Sequence, residues 1–283
     1  MQIGKPSLTA LASAAHRATH QLVDERSIFR DPLAVPILGR SPASLRADAI
    51  AHPERRAMRR FIAARSQFAE DTLAAAVRRR VRQFVILGAG LDTFAYRNPY
   101  EGLTVFEVDH PATQAWKRER LAAAGIAIPP GVRFAAVDFE RVGLVDGLAS
   151  ADFDSAAAAL FSWLGVVVYL SEAAIFETLG FMAGLPAGSE VVFSYSDPPK
   201  TMPPAQADAY RERAARLSAL GEAWRTQFEP SMLHARLREL GFRDLEDLGP
   251  ADVAARYLGQ PAVPADAKGG HLIRARLGGT AVA

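Results

Sequence analysis

The feature that most constrains this chain is a short apolar run, Phe84-Val85-Ile86-Leu87, stopped abruptly by Gly88-Ala89-Gly90. Consecutive apolar residues bounded by a glycine turn describe a strand buried on both faces, and such strands belong to parallel sheets covered by crossover helices. Further strand signals fall at Leu103 to Val108, Val132 to Val137, Ala156 to Leu160, Glu190 to Tyr195, Arg243 to Leu248 and His271 to Leu277. Helical patterns at Ala112 to Ala124, Glu172 to Met182 and Pro230 to Leu240 separate several of them. Alternation of this kind implies one mostly parallel sheet with helices on both faces.

Two stretches stand outside the alternation. From Ala10 to Val81 the pattern is almost wholly helical, punctuated by Pro32, Pro36, Pro42 and Pro53. In its last piece Phe61, Phe68, Leu73, Val77 and Val81 share one helical face, which packs on the sheet that follows. The stretch from Asp197 to Arg225 opens with Pro198, Pro199, Pro203 and Pro204 and continues as a helix through Tyr210 and Leu217, as a lid insertion would. The expected fold is therefore α/β, a Rossmann-like seven-stranded sheet with an N-terminal helical extension and a helical lid. One domain covers residues 1–283: a helical cover (1–82), a ligand-binding core (83–196), the lid (197–225) and the remainder of the sheet (226–283).

Composition removes several function classes. With 49% hydrophobic and 23% charged residues the chain can bury a large core and is not disordered. It has no cysteine, which excludes disulfides, zinc-thiolate sites and cysteine nucleophiles, and no metal site is expected. A formal net charge of +2 implies no general affinity for polyanions. The clusters Arg55, Arg56, Arg59, Arg60 and Arg78, Arg79, Arg80, Arg82 read as exposed faces, the second at a helix C-terminus that favours cations. Nucleic-acid binding is thus not expected. Residues 1–22 lack the apolar stretch of a signal peptide, and no apolar run approaches the ~18 residues of a membrane span. A cytoplasmic location without membrane association is expected, and a homodimer is an open option.

The glycine loop sits where open α/β sheets bind ligands, and its amides allow close approach. A dinucleotide fingerprint would require glycine at 93, where this chain has Thr93, which disfavours a nicotinamide or flavin cofactor. The next strand ends in Glu107-Val108-Asp109, placing Asp109 where an acid accepts ribose hydroxyls. The third ends in Asp138-Phe139, a carboxylate and a ring suited to an adenine. Each has a plain structural alternative: Gly88 and Gly90 a turn, Asp109 a helix cap before Pro111, Asp138 a solvated acid. In sequence on successive strand ends, they point together at a nucleoside.

These residues resemble the bacterial relatives of leucine carboxyl methyltransferase, within the class I S-adenosylmethionine-dependent enzymes. The resemblance is carried by Phe29-Arg30-Asp31-Pro32, Ala64-Arg65-Ser66-Gln67, Leu87-Gly88-Ala89-Gly90-Leu91-Asp92-Thr93, Phe106-Glu107-Val108-Asp109-His110-Pro111 and Val137-Asp138-Phe139. It implies S-adenosyl-L-methionine as methyl donor. It further implies Arg65, assisted by Arg30, on the methionine carboxylate; Gly88, Ala89 and Gly90 against methionine and ribose; Asp109 on the ribose; and Asp138 with Phe139 at the adenine. Asp92 is expected either to organise the loop or to cap the helix after it. Where many relatives carry a glutamate before Gly165, this chain has Leu164, which cannot accept the donor's ammonium or act as a base.

Methyl transfer from a sulfonium is an in-line displacement that rests on alignment and exclusion of water. A base is needed only if the acceptor must lose a proton, and the candidates are His110, Asp197, Tyr195 and Glu172. His110 has a structural alternative beside Pro111, as has Asp197 before Pro198. Trp163, Tyr169, Tyr195, Trp224 and Phe228 suit an aromatic or apolar small substrate, although core packing explains them equally well. The expected reaction is methylation of a hydroxyl or carboxylate oxygen of a small secondary metabolite. Alternatives are N- or C-methylation of an aromatic or indole-type molecule, protein carboxyl methylation and, from another class, an NAD(P)-dependent oxidoreductase.

Overall fold

A computed structural model describes residues 8–138, 143–219, 221–259 and 263–278. Four helices, α1 (Leu8–Val23), α2 (Ala34–Leu38), α3 (Pro42–Ala51) and α4 (Arg56–Arg78), precede the sheet. The core follows as β1 (Gln83–Leu87), β2 (Thr104–Asp109), α5 (Pro111–Ala123), β3 (Val132–Ala136), α6 (Leu144–Ala149), β4 (Ala159–Trp163), α7 (Glu172–Ala183) and β5 (Glu190–Ser196). The remainder is α8 (Pro204–Ala219), α9 (Pro230–Glu239), β6 (Phe242–Leu248), α10 (Pro250–Val253) and β7 (Gly270–Leu277). The strand order is β3-β2-β1-β4-β5-β7-β6, with β7 antiparallel to both neighbours and the other pairings parallel.

Alternation along the strands divides the core between the two faces. Val85, Leu87, Phe106, Phe161, Trp163 and Phe193 pack on one side with Ile175 and Leu179 of α7 and Leu233 and Leu237 of α9. Phe84, Ile86, Val105, Leu160 and Val192 face the other way, onto Phe68 and Leu73 of α4. A third cluster joins Ala14 and Ala18 of α1 to Ile37, Leu45 and Leu91, so the helical cover is anchored on the loop after β1. Helix starts follow local chemistry. Ser171 accepts from the Ala174 amide at 3.3 Å to open α7, and Ser41 accepts from Ser44 ahead of Pro42 to open α3.

Two boundaries differ from expectation. The fourth strand begins at Ala159 rather than Ala156, because residues 155–158 are held in a turn. The Gln83 side chain binds both the carbonyl (2.8 Å) and the amide (2.9 Å) of Asp154, and the strand starts only beyond it. An alanine run carries no periodicity that would have fixed this start. Likewise α4 stops at Arg78, and the left-handed Arg80 (φ 69°) turns the chain so that Val81 joins the core from the connection. The stretch expected as a lid forms the exposed helix α8, in which Ala207 is buried, followed by an irregular strap that returns to the sheet.

Candidate functional site

Between α1, α4 and the carboxyl ends of β1 to β4 lies a cavity of about 490 Å³. It stands at the reversal of strand order between β1 and β4, where diverging loops leave a crevice in open α/β sheets. Gly88, Ala89 and Gly90 form its floor; Asp109 and Asp138 close one end and Ser162 and Leu164 the other. Thr9, Ala10, Ser13 and Arg17 of α1 cover it, meeting Glu222, Ala223 and Arg225 of the strap. The Thr9 amide donates to Glu222 Oε2 at 3.1 Å, so the two covers touch directly.

Backbone contacts fix the floor. The amides of Gly88 and Ala89 donate to the Val108 carbonyl at 2.8 and 3.1 Å, tying the loop to β2. Gly90 has φ +48°, and a Cβ there would come within 2.9 Å of the Ala10 side chain, so only glycine lets α1 lie this close. Its amide donates to Asp109 Oδ2 at 2.6 Å, and the His110 amide donates to Asp109 Oδ1 at 2.7 Å. Burial pushes the Asp109 carboxyl upward against the pull of these two amides. Glu107, in the same strand, is buried elsewhere, accepting from Lys117 Nζ (2.7 Å) and the Tyr96 hydroxyl (2.8 Å).

Arg65 enters from α4. Its guanidinium lies against Gly165 (φ +71°), where a Cβ would come within 2.5 Å of Nη1, and donates to Ser13 Oγ at 3.2 Å. Among the described residues it forms no ion pair. Burial, and then the neighbouring Arg17 cation, lower its pKa to about 10. A half-buried cation without a carboxylate is a site that an anion would relieve.

A second arginine belongs to the cavity, and it is not Arg30, which is exposed and outside the lining. Arg17 of α1 takes that place, donating to the Leu91 carbonyl at 2.6 Å and to Asp31 Oδ2 at 3.3 Å. Asp31 is fully buried and also accepts from Thr93 Oγ1 at 2.6 Å. The segment Phe29-Arg30-Asp31-Pro32 therefore acts through its aspartate, which joins α1 to the glycine loop. The side chain of Arg17 reaches the loop across 74 residues, and no local pattern marked it.

Of the four candidate proton acceptors, only His110 lines the cavity. Its Nδ1 accepts from the Ala112 amide at 3.2 Å as the cap of α5, which assigns the proton of the neutral ring to Nε2. The ring is then a donor at Nε2, the opposite of what a base requires. Asp197 and Tyr195 are buried away from the cavity in a structural network: Asp197 accepts from the Gly269 amide (3.0 Å) and faces His271 Nε2 (3.1 Å). Tyr195 donates to Asp247 and stacks on His271 at 4.7 Å. Glu172 is exposed in the first turn of α7. Among the aromatic candidates Tyr169 lines the cavity, whereas Trp163, Tyr195 and Phe228 are core residues and Trp224 packs against Tyr210. Phe139 lies outside the described residues.

The chain is similar to known proteins over most of its length. Residues 10–183 match the family described as leucine carboxyl methyltransferase. The Bacillus subtilis protein YktD, named as a candidate S-adenosyl-L-methionine-dependent methyltransferase, is 30% identical over 89% of this chain and 91% of its own length. A Mycobacterium avium protein with the same description is 31% identical, covering 85% of this chain and 80% of its own. Among solved structures, one described as a candidate methyltransferase from Thermobifida fusca superposes with a TM-score of 0.60 at 17% identity, over 98% and 97% of the two chains.

Proposed function

The chain belongs to the leucine carboxyl methyltransferase family, and from that premise we propose that it uses S-adenosyl-L-methionine to methylate an oxygen of a small-molecule acceptor. The observation that carries this reading is Arg65, a guanidinium that forms no ion pair among the described residues and lines the cavity beside a glycine loop. It fits an amino-acid carboxylate, which a planar fork holds with two hydrogen bonds. Asp109 and Asp138 at the other end suit ribose and adenine. A dinucleotide fits less well, because its pyrophosphate needs the N-terminus of a helix after the loop. Here a three-residue turn, Phe94–Tyr96, follows instead.

The donor supplies a methyl group already activated on a sulfonium. What the protein contributes is position and dryness. Arg65 and the strand-end acids fix one partner, while α1 and the strap cover the cavity and exclude water. Leu164, Val166, Leu170 and Ala223 with the Tyr169 phenol leave an apolar wall for the acceptor. Because His110 presents a donor, a carboxylate oxygen, which needs no base, suits the cavity best.

Thermal denaturation tests the donor assignment. S-adenosylhomocysteine should raise the melting temperature while NAD leaves it unchanged. Stabilisation by NAD without any by S-adenosylhomocysteine at millimolar ligand would remove the proposal. Acceptors can then be sought by following transfer of labelled methyl into small carboxylic acids, phenols and amines.

A further inference from the structure

We propose that Asp92 receives the α-ammonium of the donor, so that Asp92 and Arg65 together read the amino-acid end of that ligand. The inference rests on the donor reading above and adds a residue to it. The ammonium and carboxylate of an α-amino acid share one carbon, so the groups that bind them must lie on adjoining walls. Next to Arg65 the sheet offers no acid: Ser162, Leu164 and Gly165 form that wall. An acceptor for the ammonium must come from elsewhere in the lining.

Four carboxylates line the cavity: Asp92, Asp109, Asp138 and Glu222. Both oxygens of Asp109 already hold backbone amides at the far end of the glycine loop. Asp138 follows β3, two strands beyond β1 and on the opposite side from β4 and Arg65. Glu222 belongs to the strap and is bound to the first turn of α1. Asp92 differs in each respect. Its Oδ1 accepts from the Phe94 amide at 2.8 Å, which fixes the side chain, and among the described residues Oδ2 has no hydrogen-bond partner. Asp92 is also the carboxylate whose field stabilises the Arg65 cation. An oriented carboxylate with one free oxygen, lining the same cavity as the cation that takes the carboxylate, matches a zwitterion in charge. The Asp92 carboxylate then stands in for the acid that Leu164 cannot provide.

Calorimetric titration with three ligands tests this: S-adenosylhomocysteine, its analogue with hydrogen in place of the amino group, and its decarboxylated analogue. Asp92→Asn keeps an oxygen for the Phe94 amide while removing the charge. It should weaken S-adenosylhomocysteine and the decarboxylated analogue about tenfold, and leave the desamino analogue unchanged. Arg65→Lys should show the reverse selectivity. Equal weakening of all three ligands by Asp92→Asn would reduce Asp92 to a loop-organising role and overturn the assignment. So would an ammonium-specific loss seen in Glu222→Gln and absent in Asp92→Asn. If the wild-type protein bound none of the three, the donor reading itself would fall, and Asp92 with it. That result is distinct from a wild-type protein that binds and an Asp92 variant that does not discriminate.

Discussion

Arg65, on a helix well before the glycine loop, and Asp109, at the end of the strand after it, both line the cavity, yet the structure gives their substitutions different consequences. Arg65 is held by one side-chain hydrogen bond to Ser13 and by contact with Gly165, so its replacement removes little from the fold. Arg65→Lys should bind S-adenosylhomocysteine more weakly than wild type, and Arg65→Ala more weakly still, by about 1.5 to 3 kcal/mol. Adenosine, lacking the carboxylate, should bind all three alike. Equal S-adenosylhomocysteine affinity across the series in calorimetry would withdraw the carboxylate role. Asp109 holds the amides of Gly90 and His110, so Asp109→Ala leaves the buried Gly90 donor unpaired, at about 1–3 kcal/mol, and the part-buried His110 donor at less. It should lower the melting temperature of the unliganded protein as well as donor affinity. A variant with unaltered melting but weakened binding would show that the loop holds without it. The residues legible from sequence were those fixed by strand ends, because a glycine turn or an acid at the end of a strand has a local cause. Arg17 and Asp31 were not legible. Whether a helical arginine reaches a loop far along the chain depends on the rotation and packing of α1, which short-range spacing does not encode.

At the scale of elements, the helical cover supplies part of the cavity lining. Ala10 seats α1 on Gly90, Ser13 holds Arg65, and Arg17 holds the loop carbonyl of Leu91. Deleting residues 1–22 should therefore reduce affinity for S-adenosylhomocysteine at least as strongly as it reduces turnover. Undiminished donor affinity in a folded truncation, measured by calorimetry, would return α1 to a role in covering the acceptor alone. The strap is stitched to the turn after β4, where the Arg225 amide donates to Val168 O (2.7 Å) and Thr226 Oγ1 to Leu170 O (2.6 Å). It meets α1 where the Thr9 amide donates to Glu222 Oε2. Glu222→Ala should speed dissociation of S-adenosylhomocysteine with little change in melting temperature, an outcome that stopped-flow displacement can deny by returning the wild-type rate. The succession of strands and helices along the chain, and the helix that follows Asp197, were legible from alternation and from proline placement. The start of β4 was not, since what sets it is the Gln83 side chain, which holds Asp154 from 71 residues away in the chain.

For the molecule as a whole, two histidines impose opposite pH dependences on stability. His16 lies among Arg59, Arg213, Arg65 and Arg55, and burial first, then these cations, lower its pKa from 6.5 to about 4. The folded state thus favours the neutral ring, and stability is lost as pH falls from 6.5 toward 4. His271 is bracketed by Asp247 at Nδ1 and Asp197 at Nε2, each at 3.1 Å, an arrangement that only the doubly protonated ring satisfies. Tyr195, His234 and Lys268 complete its surroundings. Although burial opposes it, the two carboxylates raise the pKa of His271. Its contribution is fully present below pH 6.5 and is lost as pH rises through the folded pKa. Stability should therefore pass through a maximum near pH 6.5, with each limb limited to about 1.4 kcal/mol per pH unit by its single proton. Buried carboxylates add their own slopes, Asp24, held low by His20 and Arg59 despite burial, below its ordinary range, and Glu107, held high by burial, above its own. Those slopes are common to wild type and to histidine variants and cancel in the difference. In melting curves taken from pH 5 to 9, His16→Gln should flatten the limb below pH 6.5 and leave the other, while His271→Asn should lower the whole curve and flatten the limb above it. If either variant kept the wild-type slope on its own limb, the charge environment assigned to that histidine would be wrong.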